Sequence, residues 1–156
     1  MQEVSKVRHT IDAQFGRGAH RSVPAGAVIE RSRRTGRIRG IRDGSQNLLC
    51  TLRPDGGLAI TTRLAEMMLA RRPAAFASYC VEVSPDAAPF VEEGRSVFCR
   101  HVVRCGRNVR ASSDVPVTCG GRVIAVGRAL LSCEIMSDMD RGVAVKVRDG
   151  LKGRGG

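Results

Sequence analysis

Tryptophan is absent from this sequence, and tyrosine and phenylalanine together supply five of its 156 residues. With so little aromatic bulk, the interior must be filled by Val, Ile, Leu, Met and Ala. No stretch of about 18 consecutive apolar residues occurs, and no basic-then-apolar leader opens the chain. Those absences predict a soluble, cytoplasmic protein with no membrane partner. Lysine is scarce too, at 3 residues against 23 arginines. A GC-rich genome would produce the same ratio, so it assigns nothing by itself.

The usual signatures of metal binding and catalysis are also missing. The six cysteines (Cys50, Cys80, Cys99, Cys105, Cys119 and Cys133) show no CxxC spacing, and His9, His20 and His101 are not arranged around them. In a reducing compartment they read as small apolar residues rather than disulfides. There is no HExxH, no phosphate-binding GxxxxGK[ST] loop and no Ser–His–Asp set. Asp12, Asp43, Asp55 and Asp114 stand in helix, turn or strand-start contexts without a partner constellation. We therefore expect no catalytic residue, no metal and no cofactor. A nucleophilic Cys99 or Cys105 is the enzymatic alternative that remains.

What the chain does have is positive charge, +11 overall. Residues 1–80 carry 14 basic and 6 acidic side chains, and residues 81–156 carry 12 and 9. Such an excess favours polyanions through phosphate neutralisation and counterion release. Guanidinium groups add bidentate phosphate contacts and stacking on bases.

Val4, Val7, Ile11 and Phe15 recur at helical spacing, which predicts a helix over residues 2–15, stopped by Gly16 and Gly18. Arg17, His20 and Arg21 follow on a glycine-loosened loop whose amides could approach an anion. Ala27–Arg33 and Arg37–Arg42 read as strands around Arg34-Thr35-Gly36, a three-residue hairpin loop. That register pairs 33 with 37, 31 with 39 and 29 with 41. It gathers Arg31, Arg33, Arg37 and Arg39 on one face, where like charges destabilise a ribbon unless an anion meets them. A solvated, aggregation-resistant edge is the competing explanation.

Leu48–Leu52 and Leu58–Ile60 are strands across a Pro54–Gly57 turn, and Thr62 can cap a helix with Leu64, Met67 and Met68 inward. Strand pattern returns at Ser78–Val83, with a domain boundary near residues 74–80. From Ala87 to Phe98 the chain reads AAPFVEEGRSVF: Asp86 as N-cap, Pro89 in the first turn, Gly94 at a left-handed C-terminal position, then a strand over Ser96–Val103. Asp114–Thr118 and Val123–Leu131 pair across Gly120-Gly121, with Gly127 marking a bulge or corner. Ser132 can cap a helix whose apolar side is Ile135, Met136 and Met139. Gly142 opens a last strand with Val143, Val145 and Val147 on one face and Ala144, Lys146 and Arg148 on the other. Residues 149–156 read as a flexible basic tail.

In order, PFVEEGRSVF, RHVV, DVPV, VIAVGRALLS and RGVAVKVR resemble the PUA domain, the small RNA-binding barrel of pseudouridine synthases and archaeosine transglycosylases. Upstream, QFGRGAH, SRRTGRIRG and TLRPDGGLAI resemble the small domain that precedes PUA in archaeal tRNA-guanine transglycosylases and their stand-alone relatives. The resemblance implies an α+β fold: a small N-terminal α+β domain over 1–78, then a PUA-type β-barrel with short helices over 79–148. It also implies a non-catalytic RNA-binding protein contacting structured RNA such as tRNA or rRNA, or an RNA-holding subunit for a modification enzyme. The site residues it implies are Gly94, Arg95, Ser96 and Arg100 at the corner, and Gly142, Ala144, Lys146 and Arg148 on the last strand. The arginine hairpin is added on charge alone, and Phe98, which the resemblance also names at the corner, has a competing role in the core that is the favoured one. Arg104-Cys105-Gly106-Arg107-Asn108, Ala111-Ser112-Ser113 and CGGR depart from the family's usual turns and make the surface more basic.

Overall fold

The helical stripe forms as its spacing requires. In the computed structural model, which describes residues 2–153 and 155, α1 (Gln2–Phe15) buries Val7, Ile11 and Phe15 and leaves Val4 37% exposed. Gly16 and Gly18 end the helix at positive φ, and a 3₁₀ turn over Ala19–Ser22 follows. The first sheet is an antiparallel meander of β1 (Val28–Arg31), β2 (Ile38–Arg42), β3 (Leu48–Leu52) and β4 (Leu58–Ile60). Then come α2 (Thr62–Arg71) and the short α3 (Pro73–Ala77). Thr61, rather than Thr62, caps α2, its hydroxyl accepting the Leu64 amide at 3.3 Å.

The second sheet has six strands in the order β6-β10-β9-β8-β5-β7 and forms a nearly closed barrel. Its strands are β5 (Val81–Val83), β6 (Val97–Phe98), β7 (Val102–Cys105), β8 (Asp114–Cys119), β9 (Arg122–Ala129) and β10 (Val143–Gly150). Two short helices interrupt them, α4 (Ala88–Glu92) and α5 (Cys133–Asp138). Only β5 and β8 run parallel; every other pair is antiparallel. The single strand expected over Ser96–Val103 is in fact two strands joined by a 3₁₀ turn, Cys99–His101. Those two strands occupy opposite edges of the sheet, so a three-residue turn brings the edges together and curls the sheet.

Two apolar clusters result. One joins α1, α2 and the meander with Phe76, Cys80, Val123 and Val126; the other fills the barrel. β9 serves both, because α2 packs on it from outside the barrel, and this accounts for its unbroken VIAV run. Gly127 lets β9 and β10 approach closely: a β-carbon there would lie 2.3 Å from the Lys146 carbonyl oxygen. The bulge itself falls on β10, between Val147 and Asp149.

Several expectations are corrected. Asp86 does not cap α4; Ala87 holds that position, and its amide and that of Ala88 bond the Ser84 carbonyl. Ile135 and Met139 are 48% and 39% exposed, leaving Met136 as the buried residue of α5. The segment 149–156 is no free tail as far as it is described. Asp149 and Gly150 belong to β10, Leu151 bonds Ile124, Lys152 bonds Glu92, and Gly155 bonds Arg148 through the backbone. Arg154 and Gly156 lie outside the described residues.

Polar side chains from α1 and from the second sheet cover β4, and those from the second sheet join the two sheets. Gln14 bonds both polar groups of Leu58, at 2.6 and 3.0 Å. Asp114, whose side chain is fully buried, accepts the Ile60 amide at 2.9 Å and pairs with Arg148, which also reaches the Ile60 carbonyl. Replacing Arg148 by Ala should therefore lower unfolding stability by about 2–3 kcal/mol, because a buried carboxylate loses its partner, with a discount for the partly exposed guanidinium. The Asp114→Asn, Arg148→Met double variant should recover part of the loss. Urea midpoints check both; an Arg148→Ala protein as stable as the parent would disprove the clamp.

Candidate nucleic-acid interface

The corner between α4 and β6 is set by backbone rules. Gly94 has φ of 100°, its amide bonds the Val91 carbonyl at 3.0 Å, and the Arg95 amide bonds the Phe90 carbonyl at 3.1 Å. These two bonds close a helix on a left-handed residue, which glycine adopts without strain. Gly94 itself is buried, so it shapes the turn and does not offer its backbone to a ligand. Arg95 is exposed and Ser96 half-buried.

Beside this corner stand two open aromatic rings. Phe90 is 54% exposed with the Arg95 guanidinium 5.8 Å from its centroid; Phe98 is 45% exposed with Arg100 at 5.9 Å. The expectation that Phe98 lies in the core is overturned: in β6 the inward position is taken by Val97. Of the other three aromatics, Phe15 meets Phe76 at a tilt and Tyr79 edge-on, with centroids 5.8 and 6.0 Å away. Two of the chain's five aromatic rings are thus held open to solvent, where apolar burial gives them no reason to be.

The last strand lies against the corner: Phe98 pairs with Val143, and the Cys99 amide bonds the Gly142 carbonyl at 2.9 Å. Gly142 is exposed, at φ of 105°. Ala144 is fully buried and cannot touch a ligand through its side chain. Lys146 is exposed and directly opposite Arg128 on β9, itself exposed. On its other side Arg128 is the register partner of Asp114 on β8, and after the Gly57 amide its charge helps hold the Asp55 carboxyl below its usual range; its exposure beside Lys146 adds it to the candidate surface. Arg128 does not stand out in the sequence, because five consecutive buried residues precede it on β9 and only the register supplies its neighbours. Arg148 has a 39% exposed side chain, yet its guanidinium is engaged with Asp114 and Ile60.

The arginine hairpin is only half as expected. Ile29 does face Ile41, but a bulge after Glu30 sets Arg31 opposite Ile38 and leaves Arg39 without a partner residue. The loop closes between Ser32 and Arg37, placing Arg33 in the turn, and Arg31 bonds the Gly36 carbonyl. Arg31, Arg33, Arg37 and Arg39 are all exposed, but they do not form one strand face. In the loop after α1, the anion met by the amides is the protein's own: Asp12 accepts the His20 amide at 2.9 Å and lies 3.0 Å from its Nδ1. Burial works against the Asp12 charge, but the His20 and Gly18 contacts outweigh it and hold the carboxyl below its usual range.

The cysteines are all unpaired. Burial pushes Cys50 up to about 11 and Cys80 up to about 12; burial and the neighbouring Cys133 push Cys105 up as well. A raised thiol is a poor nucleophile at neutral pH. Among the described residues, no three His, Cys, Asp or Glu side chains gather closely enough to hold a metal ion, and no helix is long and apolar enough to cross a membrane.

Residues 79–151 match the PUA domain family, and residues 5–73 match patch-forming domain C2 of tRNA-guanine transglycosylase. The chain is a C2 domain followed by a PUA domain. It is 36% identical over 152 residues to a tRNA-guanine(15) transglycosylase of Methanothermobacter thermautotrophicus, and 37% identical over 153 residues to one of Methanobrevibacter smithii. Each alignment covers 96% of this C2–PUA chain but 23% of the relative. A crystal structure of a hypothetical protein from Pyrococcus horikoshii OT3 superposes with a TM-score of 0.73 at 19% identity, covering 96% of this chain and 90% of the other. A conserved PUA domain protein from Thermoplasma acidophilum gives a TM-score of 0.62 at 18% identity, covering 96% and 89%. These last two likenesses concern the fold.

Because Gly94 closes the α4 turn at a φ that L side chains resist, Gly94→Val should cost about 1–3 kcal/mol. Phe98→Ser should cost less than about 1 kcal/mol, since the ring is 45% exposed and lies outside the barrel's apolar cluster. Thermal unfolding of the two variants tests the assignment; a large loss for Phe98→Ser would return that ring to the core.

Proposed function

We propose that this C2–PUA chain is a non-catalytic RNA-binding protein that holds structured RNA, such as tRNA, through phosphate contact and shape. The observation that carries this reading is the pair of exposed phenylalanines under arginines beside an opposed Lys146–Arg128 pair. A-form grooves hide base edges, so a protein meets such RNA mainly through phosphates, 2′-hydroxyls and unpaired bases stacked on aromatic or guanidinium planes. Arg95, Arg100, Arg128 and Lys146 supply charge, and Phe90 and Phe98 supply stacking faces. Ser96 and Gly142 border them, and the exposed arginines of the β1–β2 hairpin extend the basic surface on the other sheet. The division into units over 1–78 and 79–148 belongs to the same proposal, with the N-terminal unit carrying most of the positive charge. The protein works in the cytoplasm.

A second reading is favoured by the names of the relatives, which are enzymes that act on tRNA. In it, the chain is the accessory RNA-holding subunit of a transglycosylase or pseudouridine synthase, and chemistry resides on another chain. The two readings share one RNA surface and differ in whether a protein partner is needed.

Fluorescence anisotropy with unmodified tRNA at several salt concentrations tests the first reading. With about six phosphates neutralised, the logarithm of affinity should fall against the logarithm of salt with a slope of about −4 to −5. Arg95→Ala, Arg128→Ala and Lys146→Ala should each reduce that slope by about 1, while Phe98→Ser weakens binding by about 1–3 kcal/mol at unchanged slope. Affinity indifferent to salt would sink the proposal.

A further inference from the structure

A cleft of about 490 Å³ opens on the N-terminal domain, between α1, the segment after the 3₁₀ turn, and the β1–β2 ribbon. Its deep side chains include Val7, Ile11 and Ile41, all buried, with Val23 and Ile29 above them. Val4, the exposed end of the α1 stripe, stands at its mouth. Three arginines from three different elements line it: Arg8 of α1, Arg21 of the 3₁₀ turn and Arg71 at the end of α2. Among the described residues, none of these three guanidiniums has a hydrogen-bond or ion-pair partner, and no lining side chain is a carboxylate. The nearby Asp12 is already taken by His20.

We propose that this cleft binds a small organic anion: one carboxylate or phosphate group carried on a compact apolar body. The volume suits a ligand of that size, and an apolar interior with a few convergent polar groups is how such sites are built. Burying the body removes apolar surface from water. In the partly dehydrated mouth, a guanidinium–anion contact is stronger than on open surface, and the planar fork grips either kind of group in two places. An RNA backbone fits the cleft less well. Apart from the three arginines and His20, the lining side chains are aliphatic, so they offer a nucleobase neither hydrogen bonds nor an aromatic plane. The site lies on the first sheet and does not depend on the RNA-binding reading of the barrel.

The test uses 1-naphthoate as probe, titrated into the isotopically labelled full chain and followed by amide chemical shifts. The amides of Val7, Ile29 and Ile41 should move, and 1-naphthylmethanol, with the same body and no charge, should bind at least about tenfold more weakly. The Arg8→Gln, Arg71→Gln double variant changes two exposed residues and should also cost about tenfold. Ala27→Phe should abolish binding by filling the cleft; if it fails to fold, the arginine variant decides alone. Equal binding of the charged and neutral probes, full affinity in the arginine variant, or shifts confined to the groove lined by Leu69, Pro73 and Val123 would each overturn the proposal. So would inorganic phosphate moving the same amides as strongly as naphthoate, or tRNA displacing naphthoate from the cleft in a salt-dependent way.

Discussion

A carboxylate with no exposed surface holds this protein together. Asp114 begins β8, yet its two oxygens face the Ile60 amide in the other sheet and the Arg148 guanidinium from β10. Without the cation the carboxylate would stand buried and uncompensated, a costly state. Without the carboxylate, β4 would leave the Ile60 amide unmet. The mutual requirement fixes the outer edge of the meander against one end of the barrel. Gln14 repeats the principle two residues earlier, bonding both polar groups of Leu58. Edge strands expose unpaired backbone; here side chains from α1 and the barrel occupy that edge and turn it into a junction.

The apolar counterpart of this junction is β9. A strand that lines the barrel on one face and receives α2 on the other cannot alternate with polar residues, and Val123–Val126 does not. Phe15, Phe76 and Tyr79 add their bulk to the N-terminal cluster that β9 joins. A chain with five aromatics thus places three in the N-terminal core, while the barrel core, among the described residues, has no ring. The two remaining rings face water at the α4–β6 corner, each beside an arginine. Stability explains the first three and does not explain the other two.

The resemblance to PUA domains rested on local rules, and these translate well. Gly94 and Gly142 fall at positive φ, Gly120-Gly121 makes the β8–β9 turn, and the last strand buries Val145 and Val147 while exposing Lys146. The arginine hairpin marks where local rules stop. Its register is right at Ile29 and Ile41, then slips by one because the loop closes between Ser32 and Arg37, and a single bulge separates four arginines. Arg128 is not legible in the sequence as a site residue, because its place on the surface depends on having Lys146 opposite on β10.

The sequence alone determined which segments are strands, where glycine must turn the chain, and that the whole carries a large positive charge; each of these depends on a residue and its near neighbours. Tertiary structure decided whether a given arginine is free to meet a ligand. Arg95 and Arg148 look alike in sequence, but one lies over an exposed ring and the other over a buried carboxylate contributed by a strand 34 residues away. Charge is a property of the residue, whereas its availability is a property of what the fold brings within reach.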